Sequence, residues 1–296
     1  MFSQYFGNFL LNKKLVSTQE LKDALEYQKS IRVKLGVLAI NLGYMNSSQV
    51  QEVHQQQMRV DKKFGEIAIE LGYLTPQQLQ NLLDTQKQGH LQLSQALVDK
   101  SYLTLEQLED ELENYKQDCH LTSEELEIIK QGNIDKIVQL FLDFKNHLAQ
   151  KLYNDYVALL LKNIIRLLDI TPRLEKTLSL DDYHTDILVC QSIAGEHTLH
   201  TALACEEKAF LTIGSKFANE QFNTINELAQ ASVAEFLNVH NGIFLVNMSN
   251  KDIELQMKPH QIYLQTHLKK KDHTYIIPIH LIDCSFSLII SDSEII

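Results

Sequence analysis

Proline and glycine are scarce, 4 and 10 in 296 residues. Long disordered linkers need more of both, so the chain reads as folded throughout. Cysteine is scarce too. Cys119, Cys190, Cys205 and Cys284 lack the paired spacing of a disulfide framework or zinc site. They read as free thiols in a reducing, bacterial-type cytoplasm. No apolar run approaches the roughly 20 residues that span a bilayer. The N-terminus, Met1 to Gly7, has neither a basic nor an apolar leader segment. Positive charge is in deficit, 27 Lys+Arg against 38 Asp+Glu, for a net −11. That excludes a nucleic-acid surface. There is no glycine-rich phosphate loop, serine elbow or Cys/His signature. His184, His197, His200, His240, His260, His267, His273 and His280 are scattered. They read as surface or half-buried groups, not as a metal site.

What is present is a repeat. The length suits two domains. Gly7, Gly36, Gly65 and Ser94 recur every 29 residues. Apolar residues follow at fixed offsets, with a Gln closing the first three copies at Gln28, Gln57 and Gln86. Ser17–Glu20, Asn46–Gln49, Thr75–Gln78 and Thr104–Gln107 each place a capping residue three positions before Glu or Gln. Each copy therefore reads as a short helix, a turn and a longer helix. Four such pairs can bury together a face that one cannot. The expectation is an all-α domain of four tandem helical repeats over residues 1–116.

This pattern resembles the N-terminal domain of type II secretion and type IV pilus assembly ATPases, the GspE/MshE class. Some members of that family bind cyclic di-GMP across two tandem motifs, with a leading Arg meeting the nucleotide. That position is Tyr5, Lys34, Lys63 and Gln92 here. The resemblance thus puts a cyclic di-GMP site, if present, on copies two and three: Lys34, Gly36 and Gly43 with Lys63, Gly65 and Gly72. Lysine meets phosphate only as a point charge, without arginine's planar fork. Protein docking or oligomerisation is the commoner use of such repeats.

Residues 117–152 read as a helical connector. Thr122 to Glu125 cap a short helix. From Ile134 to Asp169 apolar residues keep helical spacing through Ile137, Leu148 and Leu160, a span of about 36 residues that is long for one unkinked globular helix. Residues 153–296 read as an α/β (α+β) domain. Two strands flank Ala194-Gly195-Glu196, helices follow, and then strands at 243–248, 253–257, 262–267, 275–281 and 286–290. Lys269-Lys270-Lys271 before Asp272 reads as a solvated hairpin turn.

The chemistry concentrates on the helix around residues 231–242, for which Gly242 reads as the C-terminal stop. Glu235 and Asn238, three residues apart, share a face. A carboxylate and an amide make an incomplete active site. They suffice where a partner brings both the electrophile and the metal, as an acyl phosphate does. Glu-x-x-Asn-x-x-x-Gly (Glu235, Asn238, Gly242) resembles the CheC/CheX/FliY family of chemotaxis phosphatases, and the single motif is similar to CheX. The resemblance implies a mainly antiparallel sheet under a two-helix layer, and dephosphorylation of a CheY-like receiver domain. Asn238 would place the attacking water and Glu235 would contact the receiver's lysine. Mg²⁺ would sit on the receiver, with no cofactor of this chain's own. A homodimer is implied as well. The family's Asp or Ser four residues before the Glu is Ala231 here. The alternative is a non-catalytic signalling adaptor whose repeats bind cyclic di-GMP or a protein.

Overall fold

A computed structural model describes residues 2–30, 33–57, 62–85, 92–118, 121–144, 149–175, 182–269, 271, 273–281 and 283–296. Gln86, Cys119, Leu148, Lys270 and Asp272 lie outside the described residues. The chain divides into two compact units, Met1–Gly132 and Asn133–Ile296.

The first unit is helical among its described residues. Short and long helices alternate: α1 Phe2–Asn12, α2 Thr18–Tyr27, α3 Leu35–Asn41, α4 Ser47–Gln57, α5 Phe64–Glu70, α6 Pro76–Thr85, α7 Gln92–Asp99 and α8 Leu105–Asp118, followed by α9 Ser123–Gln131. The first glycine of each of the first three copies is a packing residue. A Cβ on Gly7 would fall 2.8 Å from Leu21 Cδ1, on Gly36 2.7 Å from Val50 Cγ1, and on Gly65 2.5 Å from Leu79 Cδ1. Each long helix therefore packs directly against the short helix before it. The side chains of Glu20, Gln49, Gln78 and Gln107 accept from the cap N–H groups at 2.7, 2.9, 2.8 and 2.9 Å, closing the four boxes.

The joint between short and long helix recurs as well. Lys14, Gly43, Gly72 and Ser101 have φ of 58°, 66°, 73° and 59°. The following N–H reaches back five residues: Leu15 to Leu10, Tyr44 to Ala39, Tyr73 to Ala68 and Tyr102 to Leu97, at 3.0, 2.9, 2.9 and 2.9 Å. This is a left-handed helix end, which suits glycine and strains other residues. Lys14→Gly and Ser101→Gly should each raise stability by about 0.5–1 kcal/mol, read as a higher urea midpoint at unchanged slope.

In the second unit, α10 Ile134–Phe141, α11 Gln150–Leu168, α12 Glu207–Ala218 and α13 Glu227–Ser249 accompany one antiparallel sheet. Its strands are β1 Arg173–Leu174, β2 Asp182–Gly195, β3 Leu199–Cys205, β4 Leu255–Met257, β5 Gln261–Lys269, β6 Thr274–His280 and β7 Ser285–Ser291, in the order β1-β6-β7-β3-β2-β4, with β5 also on β2. The 36-residue apolar stretch is two helices, not one. The backbone turns extended at Leu142 (φ −114°, ψ 125°), ending α10. The helices α12 and α13 pack on the sheet, and α11 packs on both.

The reading of Gly242 as a helix stop is wrong, as is the strand placed at 243–248. Helix α13 runs on to Ser249. Val233, Leu237, His240, Asn241, Phe244 and Met248 are all buried, and this spacing continues one helical stripe across Gly242. Burial of Phe244 and Met248 outweighs the weak helix propensity of one glycine, a penalty of about 1 kcal/mol.

Candidate functional site

Helix α13 begins at Asn226, whose side-chain Oδ1 accepts from Ala229 N at 2.8 Å. The helix buries Ala229, Val233, Phe236 and Leu237 against the sheet and its neighbours. Glu235 is exposed and Asn238 half-buried, on the opposite side of the helix from Val233. Their side chains touch: Asn238 Nδ2 donates to Glu235 Oε2 at 3.2 Å.

Beneath Asn238 lies a chain of buried polar groups. Gln191 on β2 is 3% exposed. Its Nε2 donates both to Asn238 Oδ1 and to the Lys258 carbonyl, each at 3.0 Å. Gln191 Oε1 accepts from Asn241 Nδ2 at 2.8 Å. Asn241 Oδ1 accepts from the Tyr156 hydroxyl at 2.6 Å. Tyr156 and Asn241 are both fully buried. Burial raises the Tyr156 phenol well above its ordinary pKa, so it stays protonated and able to donate. Thr201 Oγ1 donates to the Gln191 carbonyl at 2.8 Å, tying β3 to β2 beside the same network. Every buried amide here is matched, as such groups must be to avoid a desolvation penalty of about 1–3 kcal/mol each.

His240 corrects the expectation of surface or half-buried histidines: it is fully buried. Arg166 Nη2 donates to Asn163 Oδ1 at 2.6 Å, which turns Asn163 Nδ2 toward His240 Nδ1 at 3.0 Å. Nδ1 is then the acceptor, and the ring proton sits on Nε2, which has no hydrogen-bond partner. Its ring stands edge-to-face with Tyr156 at 4.5 Å. Burial pushes its pKa down from 6.5 to about 3. The folded state therefore refuses a proton that the unfolded chain accepts. Stability is full above pH 6.5 and falls by about 1.4 kcal/mol per unit as pH drops from there toward 3. Between roughly pH 7 and pH 4.5, wild type should lose about 2 kcal/mol more than His240→Gln, read from urea midpoints.

The nucleotide candidates lie in the first unit. Gly36 and Gly65 are the buried packing glycines, and Gly43 and Gly72 are the left-handed turns. Lys34 Nζ donates to Asp99 Oδ1 at 2.7 Å, and its backbone N–H meets Gln95 Oε1 at 2.8 Å. Lys63 is exposed and its N–H meets Glu66 Oε2 at 2.9 Å. All six residues thus have structural places independent of any ligand.

Among the described residues, no three His, Cys, Asp or Glu side chains are grouped to hold a metal ion. Among the described residues, Cys190, Cys205 and Cys284 form no disulfide. Burial pushes the Cys190 pKa up to about 12, which keeps it protonated and unreactive. No described helix is long and apolar enough to cross a membrane.

Solved structures of CheX and CheC-like chemotaxis proteins are similar to about half of this chain, its C-terminal part. A chemotaxis protein CheX from Desulfovibrio desulfuricans aligns with 47% of this chain and 97% of its own, at 11% identity and a TM-score of 0.42. CheX from Vibrio vulnificus aligns with 48% and 98%, at 16% identity and 0.43. A CheX–CheY–BeF3–Mg²⁺ complex from Borrelia burgdorferi aligns with 47% and 96%, at 15% identity and 0.40. No family model and no curated protein matches the chain.

Proposed function

We propose that the C-terminal unit hydrolyses the aspartyl phosphate of a CheY-like receiver domain. The observation that carries this is the outer face of α13. Leu228 is 51% and Val246 61% exposed, and Ala231 also faces water. These positions and Gly242 fall at helical spacing with Glu235. The carboxylate and amide therefore sit in an otherwise apolar, exposed stripe, the kind of surface that marks a protein partner. At Gly242 a Cβ would meet only Met257 Cε, at 3.9 Å, so the face is low and open there.

In this reading Glu235 contacts the receiver's lysine and Asn238 holds the water in line with the phosphorus. Attack forms one P–O bond and breaks the bond to the aspartyl oxygen, leaving a carboxylate and inorganic phosphate. An acyl phosphate is reactive already, so placement of the water supplies most of the gain. The receiver brings the Mg²⁺. The test is loss of phosphate from purified phosphorylated receivers with and without this protein. Faster loss from at least one receiver supports the proposal. Unaltered decay of every receiver encoded alongside it would sink it.

A further inference from the structure

Resting on that phosphatase reading, we infer that Gln191 is a positioning residue for Asn238, and that it turns the Asn238 amide so that the reaction meets an N–H donor. The direction is set at the Lys258 carbonyl. A backbone carbonyl only accepts, so the end of Gln191 that touches it at 3.0 Å is Nε2. The same Nε2 touches Asn238, whose facing atom must then be the acceptor Oδ1. Asn238 Nδ2 is left on the outer side, where one N–H meets Glu235 Oε2. Its second N–H is the group available to an oxygen of the arriving water or phosphoryl group.

The far end of the chain reinforces the same sense. With Nε2 committed, Gln191 offers Oε1 to Asn241 Nδ2, and Asn241 in turn offers Oδ1 to the Tyr156 hydroxyl. Reversing Asn238 would set two NH₂ groups against each other. A half-exposed asparagine on a helix otherwise samples several rotamers. Here its carbonyl is pinned from below by a side chain that is itself bound at both ends. Pre-organisation of this kind matters most where placement supplies the rate. Gln191 touches no substrate and acts only through Asn238.

The experiment compares wild type, Gln191→Met and Tyr156→Phe in the full chain. Methionine keeps the length of glutamine and loses all three side-chain hydrogen bonds, and phenylalanine keeps the ring and loses the hydroxyl. The first readout is the NMR order parameter of the Asn238 side-chain NH₂, which needs no phosphatase activity. The second is kcat and KM on a phosphorylated receiver. Gln191→Met should lower the order parameter and cut kcat about 10-fold with KM unchanged, because Glu235 still docks the receiver. Tyr156→Phe should move both the same way by less, and it decides the matter should the methionine variant fail to fold. An unchanged order parameter overturns the inference, whatever the activity. A lowered order parameter with unchanged kcat overturns it too. If wild type dephosphorylates no receiver, the phosphatase reading falls and takes the catalytic role of Gln191 with it, while the order parameter still reports whether Gln191 holds the amide.

Discussion

Asn238→Ala should slow receiver dephosphorylation by about 100-fold while leaving the unfolding midpoint close to wild type. The two halves of that expectation have separate causes. The rate falls because nothing else on the exposed face of α13 carries a neutral hydrogen-bonding group beside Glu235. Stability holds because Asn238 is half-buried, and Gln191 Nε2 keeps its bond to the Lys258 carbonyl when the amide is gone. Glu235→Ala should act differently. It removes a contact made equally in ground and transition states, so KM should rise and kcat should change little. Single-turnover phosphate release on one receiver separates the two. Full activity in Asn238→Ala would leave the amide as an ordinary surface group.

Asn241→Ala should be the more damaging change to the fold, at about 4 kcal/mol. Its two shorter hydrogen bonds serve the Tyr156 hydroxyl and Gln191 Oε1, both of them deep in the unit, and a third reaches Thr201 Oγ1 at 3.4 Å. The first two partners would lose that bond while buried, at about 1–3 kcal/mol apiece, and the vacated volume adds a cavity term. A loss below about 1 kcal/mol in urea titrations would mean that water reaches the network and replaces the amide.

The 29-residue glycine spacing was legible because it answers to local steric demands. Gly7, Gly36 and Gly65 are small so that Leu21, Val50 and Leu79 can approach, and each pair lies fourteen residues apart in the chain. The capping boxes and the hairpin at Gly195 are local in the same sense. The pairing of Glu235 with Asn238 is set by helical spacing, and it too could be read in advance. The end of α13 could not. Ile243 to Met248 is rich in β-formers, and only its packing partners show that Phe244 and Met248 extend a helical stripe. The network under Asn238 was illegible for another reason. Gln191 lies 47 residues from Asn238, and Tyr156 lies 85 from Asn241. The available hint was a glutamine at an inward position of the apolar run Ile187 to Ile193, and an asparagine on the buried stripe of α13.

Strand β2 is bonded along one side to β3 and along the other to β5 and β4. Its side chains alternate, with Gln191 toward the helices and Cys190 and Ser192 toward the other face. A slip of one residue against β3 would put a thiol or a hydroxyl under Asn238 and turn the amide away. Neither is long enough to span to both the Lys258 carbonyl and α13. Molecules that zip this sheet out of step would thus lose the hold on the Asn238 amide as well as their packing, so the mobility of that one side chain doubles as a reading of strand register.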